Sequence, residues 1–149
     1  FNAFYTKLAQ QQNTLVLLAK DALRNPSPLN FFKRFKLEEG GLFDLKLRAI
    51  LPFIDAAKVL SAAAGKTHLS STKARLESAK DGSNEELITS AQHAYEILLQ
   101  LRLKFGQKGG DHGRYFDPAQ LDQLDRQLLR NVLKTLEALQ AHLKLKFKL

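Results

Sequence analysis

The feature that most constrains this chain is a helical period in its apolar residues, which recurs through nearly every long segment. Residues three and four apart share one face of a helix, and an apolar face must be buried against another element. Over residues 3–24 the stripe is Phe4, Leu8, Leu15, Leu18, Ala19, Ala22 and Leu23, ended by the breaker Asn25-Pro26-Ser27-Pro28. A short apolar-aromatic piece follows (Leu29, Phe31, Phe32, Phe35), then a loop at Glu38-Glu39-Gly40-Gly41. Over 44–64 the stripe is Leu47, Ile50, Leu51, Ile54, Ala57 and Leu60. Asp44 is placed to cap that helix and Gly65 to end it, while Pro52 predicts a kink or a split because it removes one hydrogen bond. A shorter helix over about 71–80 stops at Asp81-Gly82. Ser83-Asn84-Glu85-Glu86 reads as a capping box, opening a helix on Leu87, Ile88, Ala91, Ala94, Tyr95, Leu98, Leu99 and Leu101 that ends near Gly106. Asp117-Pro118 pairs an N-cap with Pro at the first helical position. It opens a last helix to about 143, on Leu121, Leu124, Leu128, Val132, Leu136, Leu139 and Leu143. The alternating end, HLKLKFKL, fits a helix end or an extended tail equally well. No comparable strand signal and no repeat is present. The expectation is an all-α fold: one domain over 1–149, an antiparallel bundle of four long helices plus short ones.

Composition agrees with a packed core. Apolar residues make up 44% of the 149 and charged residues 26%. There is no cysteine, which excludes a disulfide scaffold, a thiol nucleophile and a Cys-ligated metal. The longest apolar run, Ala49 to Ile54, is too short to cross a membrane, and FNAFYTKLAQ lacks the pattern of a signal peptide. A cytoplasmic protein with no membrane association is therefore expected. The chain starts at Phe1 and has no Met, so it is read as a fragment of a larger multidomain protein.

Catalytic equipment is thin. There is no G-x-S-x-G, H-E-x-x-H or G-x-x-x-x-G-K-[ST]. Asp122 and Asp125 stand one helical turn apart and read as a solvated polar face rather than a metal pair. His68, His93, His112 and His142 are scattered and read as ordinary surface or helix residues. The loop Lys108-Gly109-Gly110-Asp111-His112-Gly113-Arg114 lacks the strand–loop–helix setting of a phosphate cradle and reads as a connector. More informative is Asp44-Leu45-Lys46-Leu47-Arg48, where charge crowds the start of a helix that is otherwise core. Lys46 and Arg48 suit either a phosphate or acidic surface, or the solvated flank of an amphipathic helix.

Taken in order, FFKRF, EEGG, DLKLRAILPFIDAAKVLSAAAG, STKARL, AYEILLQLRLK and DPAQLDQLDRQLLRNVLKTLEALQ resemble the nucleotidyltransferase substrate-binding domain family over about residues 29–143. Asp-Leu-Lys, an apolar run with Pro, and a closing Ala-x-x-Gly form the most specific part. The resemblance implies a helical bundle beside a polymerase-beta-type nucleotidyltransferase domain. It places that bundle at the end of bacterial signalling proteins with CBS or cyclic-nucleotide-binding domains. It implies that the domain holds the acceptor substrate. Asp44, Lys46, Arg75 and Arg102 match the family's recurring polar positions; Lys58 and Phe105-Gly106 depart from its pattern. With Arg48, these four form the expected substrate-binding or docking residues, with no catalytic residue and no metal ligand. No cofactor is expected in this chain, while Mg2+ and a nucleoside triphosphate are implied for the parent enzyme.

Three functions follow as expectations. The first is a non-catalytic substrate-binding or accessory domain of such a nucleotidyltransferase. The second is a basic module for nucleic acid or an acidic protein, prompted by a net charge of +8 and marked by steep salt dependence. The third is a structural docking bundle, including a homodimer, with no small ligand.

Overall fold

The computed structural model describes residues 2–24, 28–29, 34–107 and 113–149, with side chains from residue 10 onward. The side chains of Phe4 and Leu8, the breaker at 25–27, Phe31 and Phe32, and His112 with the rest of 108–112 lie outside the described residues.

Helices dominate. They are α1 (Asn2–Ala22), α2 (Leu51–Ala63), α3 (Thr72–Ser78), α4 (Glu85–Gly106) and α5 (Gln123–Phe147). A π-helical turn, Lys46–Ile50, leads directly into α2, and a 3-10 turn, Pro118–Gln120, precedes α5. The expected all-α architecture is therefore present, with one addition: β1 (Phe43–Asp44) pairs antiparallel with β2 (Tyr115–Phe116). Two-residue strands are too short to leave a periodic signature.

Pro52 splits its helix as its chemistry requires. It has no N–H to give Arg48, and its ring would crowd that carbonyl in a continuous α-helix. The backbone widens just before it, and the N–H of Leu51 reaches back five residues to the carbonyl of Lys46. Pro52 then sits in the first turn of α2, where a missing N–H costs nothing. Gly65, just past the end of α2, takes φ +76° as a helix C-terminus demands.

Two helix starts differ from expectation. The Ser83 capping box does not form. α4 opens at Glu85 behind Asn84, and the Ser83 hydroxyl instead donates to Asp81 Oδ1 at 2.7 Å. Asp81 organises the turn by also accepting from the backbone N–H groups of Ser83 and Asn84, and its own N–H donates to Asn84 Oδ1. The last helix does not start at Pro118 either. Asp117 caps only the 3-10 turn, through Ala119 N–H, and Asp122 caps α5 through Asp125 N–H at 2.7 Å. At its other end α5 runs to Phe147 and closes on Lys148 in the left-handed region, so the alternating tail is helix.

α4 and α5 pack antiparallel. The start of α4 (Ser83, Glu86, Leu87, Ser90) lies against Lys134, Thr135 and Ala138, while Lys104 near its end meets Asp125. α2 packs on α1, α3 and α5, and closes the bundle. The core joins Phe53, Leu60, Leu76, Ile88, Leu98, Leu133, Leu136 and Leu143, each contributing roughly 1.5–3 kcal/mol by burial. Among the described residues, three from the expected stripes are exposed instead: Leu18, Leu99 and Leu124. Leu124 lies in the first turn of α5, and the buried face of that helix runs through Asp125, Leu129, Leu133 and Leu136. No helix among the described residues is long and apolar enough to cross a membrane.

Candidate functional site

The start of the π turn is built around Asp44. Its side chain is 3% exposed. Oδ1 accepts from the Leu47 N–H at 3.0 Å, the cap expected from sequence. The carboxylate also takes the Arg114 fork, Nε at 3.1 Å on Oδ1 and Nη2 at 3.0 Å on Oδ2. Burial alone would raise the Asp44 carboxyl; the bonds from Arg114 and Leu47, the Arg114 charge and a bond from Tyr115 outweigh it and hold the group below its ordinary value. β1–β2 pairing brings these groups together, since Asp44 stands opposite Tyr115 and Leu45 N–H donates to the Arg114 carbonyl at 2.8 Å.

Arg48 is equally committed. Its Nε donates to Glu38 Oε1 at 2.7 Å, with both side chains partly buried. The Glu38-Glu39-Gly40-Gly41 segment makes this possible by folding back, with Glu38 N–H on the Leu42 carbonyl and both glycines at positive φ. Lys46 lies half-buried on the same turn.

Arg102 approaches from α4. A Cβ on Gly113, which has φ +78°, would sit 2.2 Å from the Arg102 carbonyl oxygen, so the Arg102 backbone lies directly beside the Gly113-Arg114 step. Asp44, Lys46, Arg48 and the backbone of Arg102 thus lie at one end of the bundle, while Arg102 also lines a separate groove with Leu99, Leu103, Gly106 and Gln107. Arg75 does not join them. It lies on α3, which meets α4 through Lys73–Glu96 and Glu77–Gln92, and Glu96 is about 9 Å of helix rise short of Arg102.

Of the expected solvated pair, Asp122 is exposed but Asp125 is not. Asp125 is buried and bonds the Lys104 ammonium at 2.6 Å, and that bond raises the Lys104 pKa. They line a cleft of about 330 Å³ between the end of α4, β2 and the start of α5. Phe105, Tyr115 and Phe116 form its apolar wall, with Phe105 and Phe116 centroids 4.4 Å apart. Arg126 holds the 3-10 turn on the other side, its Nη2 donating to the Pro118 and Leu121 carbonyls. Sequence reasoning passed over this cleft. Its one linear signal was the Tyr115-Phe116-Asp117-Pro118 string, which sets two aromatics against a capped turn.

This acidic set does not suit a divalent ion. Lys104 neutralises Asp125, and Asp117 and Asp122 each spend one oxygen on a cap. Among the described residues no group of three His, Cys, Asp or Glu stands close enough to hold a metal. His68 and His93 are exposed and His142 is half-buried on α5.

No curated protein and no solved structure matches the chain. The family profile described as "Putative nucleotidyltransferase substrate binding domain" matches residues 12–147. That span runs from the middle of α1 to the end of α5, and the chain belongs to this family.

Proposed function

We propose that this domain is the non-catalytic module that holds an acceptor substrate beside a nucleotidyltransferase domain, within a bacterial signalling protein that also carries CBS or cyclic-nucleotide-binding sensors. The observation that supports it is the family match across nearly the whole bundle. Nucleotidyl transfer depends chiefly on positioning and on neutralising phosphate charge, so a rigid basic partner is chemically useful to such an enzyme. Mg2+ and the nucleoside triphosphate then belong to the catalytic domain.

Within this reading Asp44, Arg114, Arg48 and Glu38 are the frame, and Lys46 is the contact residue, facing the acceptor, its phosphates or the catalytic domain. Arg102 backs the same end of the bundle, and Arg75 serves a separate face. In a polypeptide carrying both domains, Lys46→Ala is expected to change stability by less than about 0.5 kcal/mol. It should weaken acceptor binding or transfer at least about tenfold, as loss of a charge-assisted hydrogen bond does. Removal of residues 1–149 should raise the acceptor KM while nucleotide binding persists. An unchanged acceptor KM after that removal would overturn the proposal.

The basic-module reading is weaker. Arg48, Lys73, Lys80, Lys104 and Arg114 are all spent on carboxylates of the same chain, which leaves fewer of the 23 Lys and Arg side chains to meet phosphates, although the net charge stays +8.

A further inference from the structure

The cleft between α4, β2 and α5 has a chemical character opposite to that of the chain around it. The protein carries a net charge of +8, yet the cleft is lined by Asp117, Asp122, Asp125 and a single cation, Lys104. Lys104 is consumed by Asp125 at 2.6 Å. Asp117 and Asp122 use Oδ1 for their caps; neither hydrogen-bonds a cationic side chain, and the Lys104 charge, bonded to Asp125, also acts on Asp122. Each keeps Oδ2 as an acceptor, and the Gln120 side chain lines the same wall. Against these acceptors stand the rings of Phe105, Tyr115 and Phe116. Carboxylates facing aromatic rings are complementary to one class of group, an organic cation on a flat or apolar body: the cation meets the acceptors and the ring quadrupoles, and the body displaces water from the rings. The walls are built rather than incidental. Phe116 packs between Phe105 and Phe43, Arg126 fixes the 3-10 turn, and the Lys104–Asp125 pair ties α4 to α5.

We propose that this cleft binds a small organic cation, an ammonium or amidinium carried on a planar or apolar body of the size that about 330 Å³ admits. This rests on the accessory-domain reading only in so far as the cation would be part of the acceptor; the binding itself is a property of the 149-residue chain.

Three matched probes test it: benzamidine, benzamide and benzoate, which share a flat shape and differ in charge. Titrated into the isotopically labelled chain, benzamidine should shift the backbone amides of Lys104–Phe105 and Tyr115–Asp125 saturably. Benzamide should bind at least about tenfold more weakly, and benzoate weaker still. The Asp117→Asn/Asp122→Asn variant keeps both caps, because Asn caps as well as Asp. It should retain the fold and the melting temperature within about 3 °C, while the benzamidine preference falls to about twofold or less. Equal affinity for the three probes, amide shifts elsewhere, or a preference that survives the double substitution would each overturn the proposal. The outcome is separable from the accessory role. Loss of cation selectivity leaves the Lys46 and domain-removal tests untouched. Cation selectivity alongside an unchanged acceptor KM would make the cleft a site outside nucleotidyl transfer.

Discussion

The side chain of Asp44 is 3% exposed and that of Arg114 is 37% exposed, so the two halves of this ion pair are not equivalent. Arg114→Ala leaves a buried carboxylate with only its cap and the Tyr115 bond, and is expected to cost about 3–5 kcal/mol. Asp44→Asn keeps the cap and leaves a guanidinium that water can reach, and should cost about 1–3 kcal/mol. Urea unfolding at pH 7 checks the order. The pH dependence has a definite sign. The Asp44 carboxyl is held below its ordinary value of 3.8 in the fold. The stability it contributes is therefore complete above that value and is lost as pH falls through the lower, folded one. The gap between the parent and Asp44→Asn should narrow below about pH 4. Asp44 was legible in the sequence as a cap, because capping is local. Arg114 was not legible as its partner, because it lies seventy residues away and carries no pattern of its own. Arg48–Glu38 and Lys104–Asp125 escaped notice for the same reason, and Asp125 was misplaced on a solvated face.

At the scale of elements, the helices were readable because their period comes from the chain's own geometry. Their ends were less so, because capping depends on which of several adjacent polar residues wins. At the start of α4 Asn84 is 4% exposed, with Oδ1 accepting from Asp81 N–H and Nδ2 donating to the Ala79 carbonyl at 2.9 Å. Ser83 is exposed and bonds only Asp81. Ser83→Ala is therefore expected to cost less than about 0.5 kcal/mol, and Asn84→Ala about 1–2 kcal/mol, because it leaves two part-buried backbone groups without their side-chain partner. Thermal melts of the pair decide between this turn and a Ser83 capping box, which would reverse the order. A second contrast concerns loops. Gly65 and Gly113 have nearly the same positive φ, but a Cβ at Gly65 meets nothing while one at Gly113 strikes the backbone of α4. Gly65→Ala should cost about 1 kcal/mol. Gly113→Ala carries the same conformational strain and must also push Arg102 aside, so it should cost at least about 3 kcal/mol. Equal melting temperatures for the two variants would remove the close approach that seats Arg114.

For the molecule as a whole, the question is whether the β1–β2 clasp is part of the bundle or an attachment to it. Aromatic contacts argue that it is part. Phe43 is fully buried, and its ring lies 5.7 Å from Phe35 and 5.6 Å from Phe116, which in turn meets Phe105 of α4 at 4.4 Å. The chain of rings runs from the segment before β1, through the clasp, to the end of α4, where the cleft begins. None of this was legible from periodicity, since Phe43, Tyr115 and Phe116 sit outside every helical stripe. Two tyrosines report on separate places: Tyr95 packs its ring against Phe53 in the helical core, and Tyr115 stands in the clasp, with the Arg114 guanidinium over its ring. If the rings join clasp and bundle into one cooperative unit, far-UV circular dichroism and the fluorescence of Tyr115 in a Tyr5→Phe/Tyr95→Phe background should give coincident unfolding curves. Phe43→Ala should then lower both midpoints together, by the equivalent of about 3–5 kcal/mol, because the cavity it opens lies between the two parts. An early tyrosine transition followed by helix loss at the parental midpoint would show instead that the clasp opens on its own. In that case the cleft and the Asp44 end of the bundle would be movable parts, positioned by whatever domain packs against them.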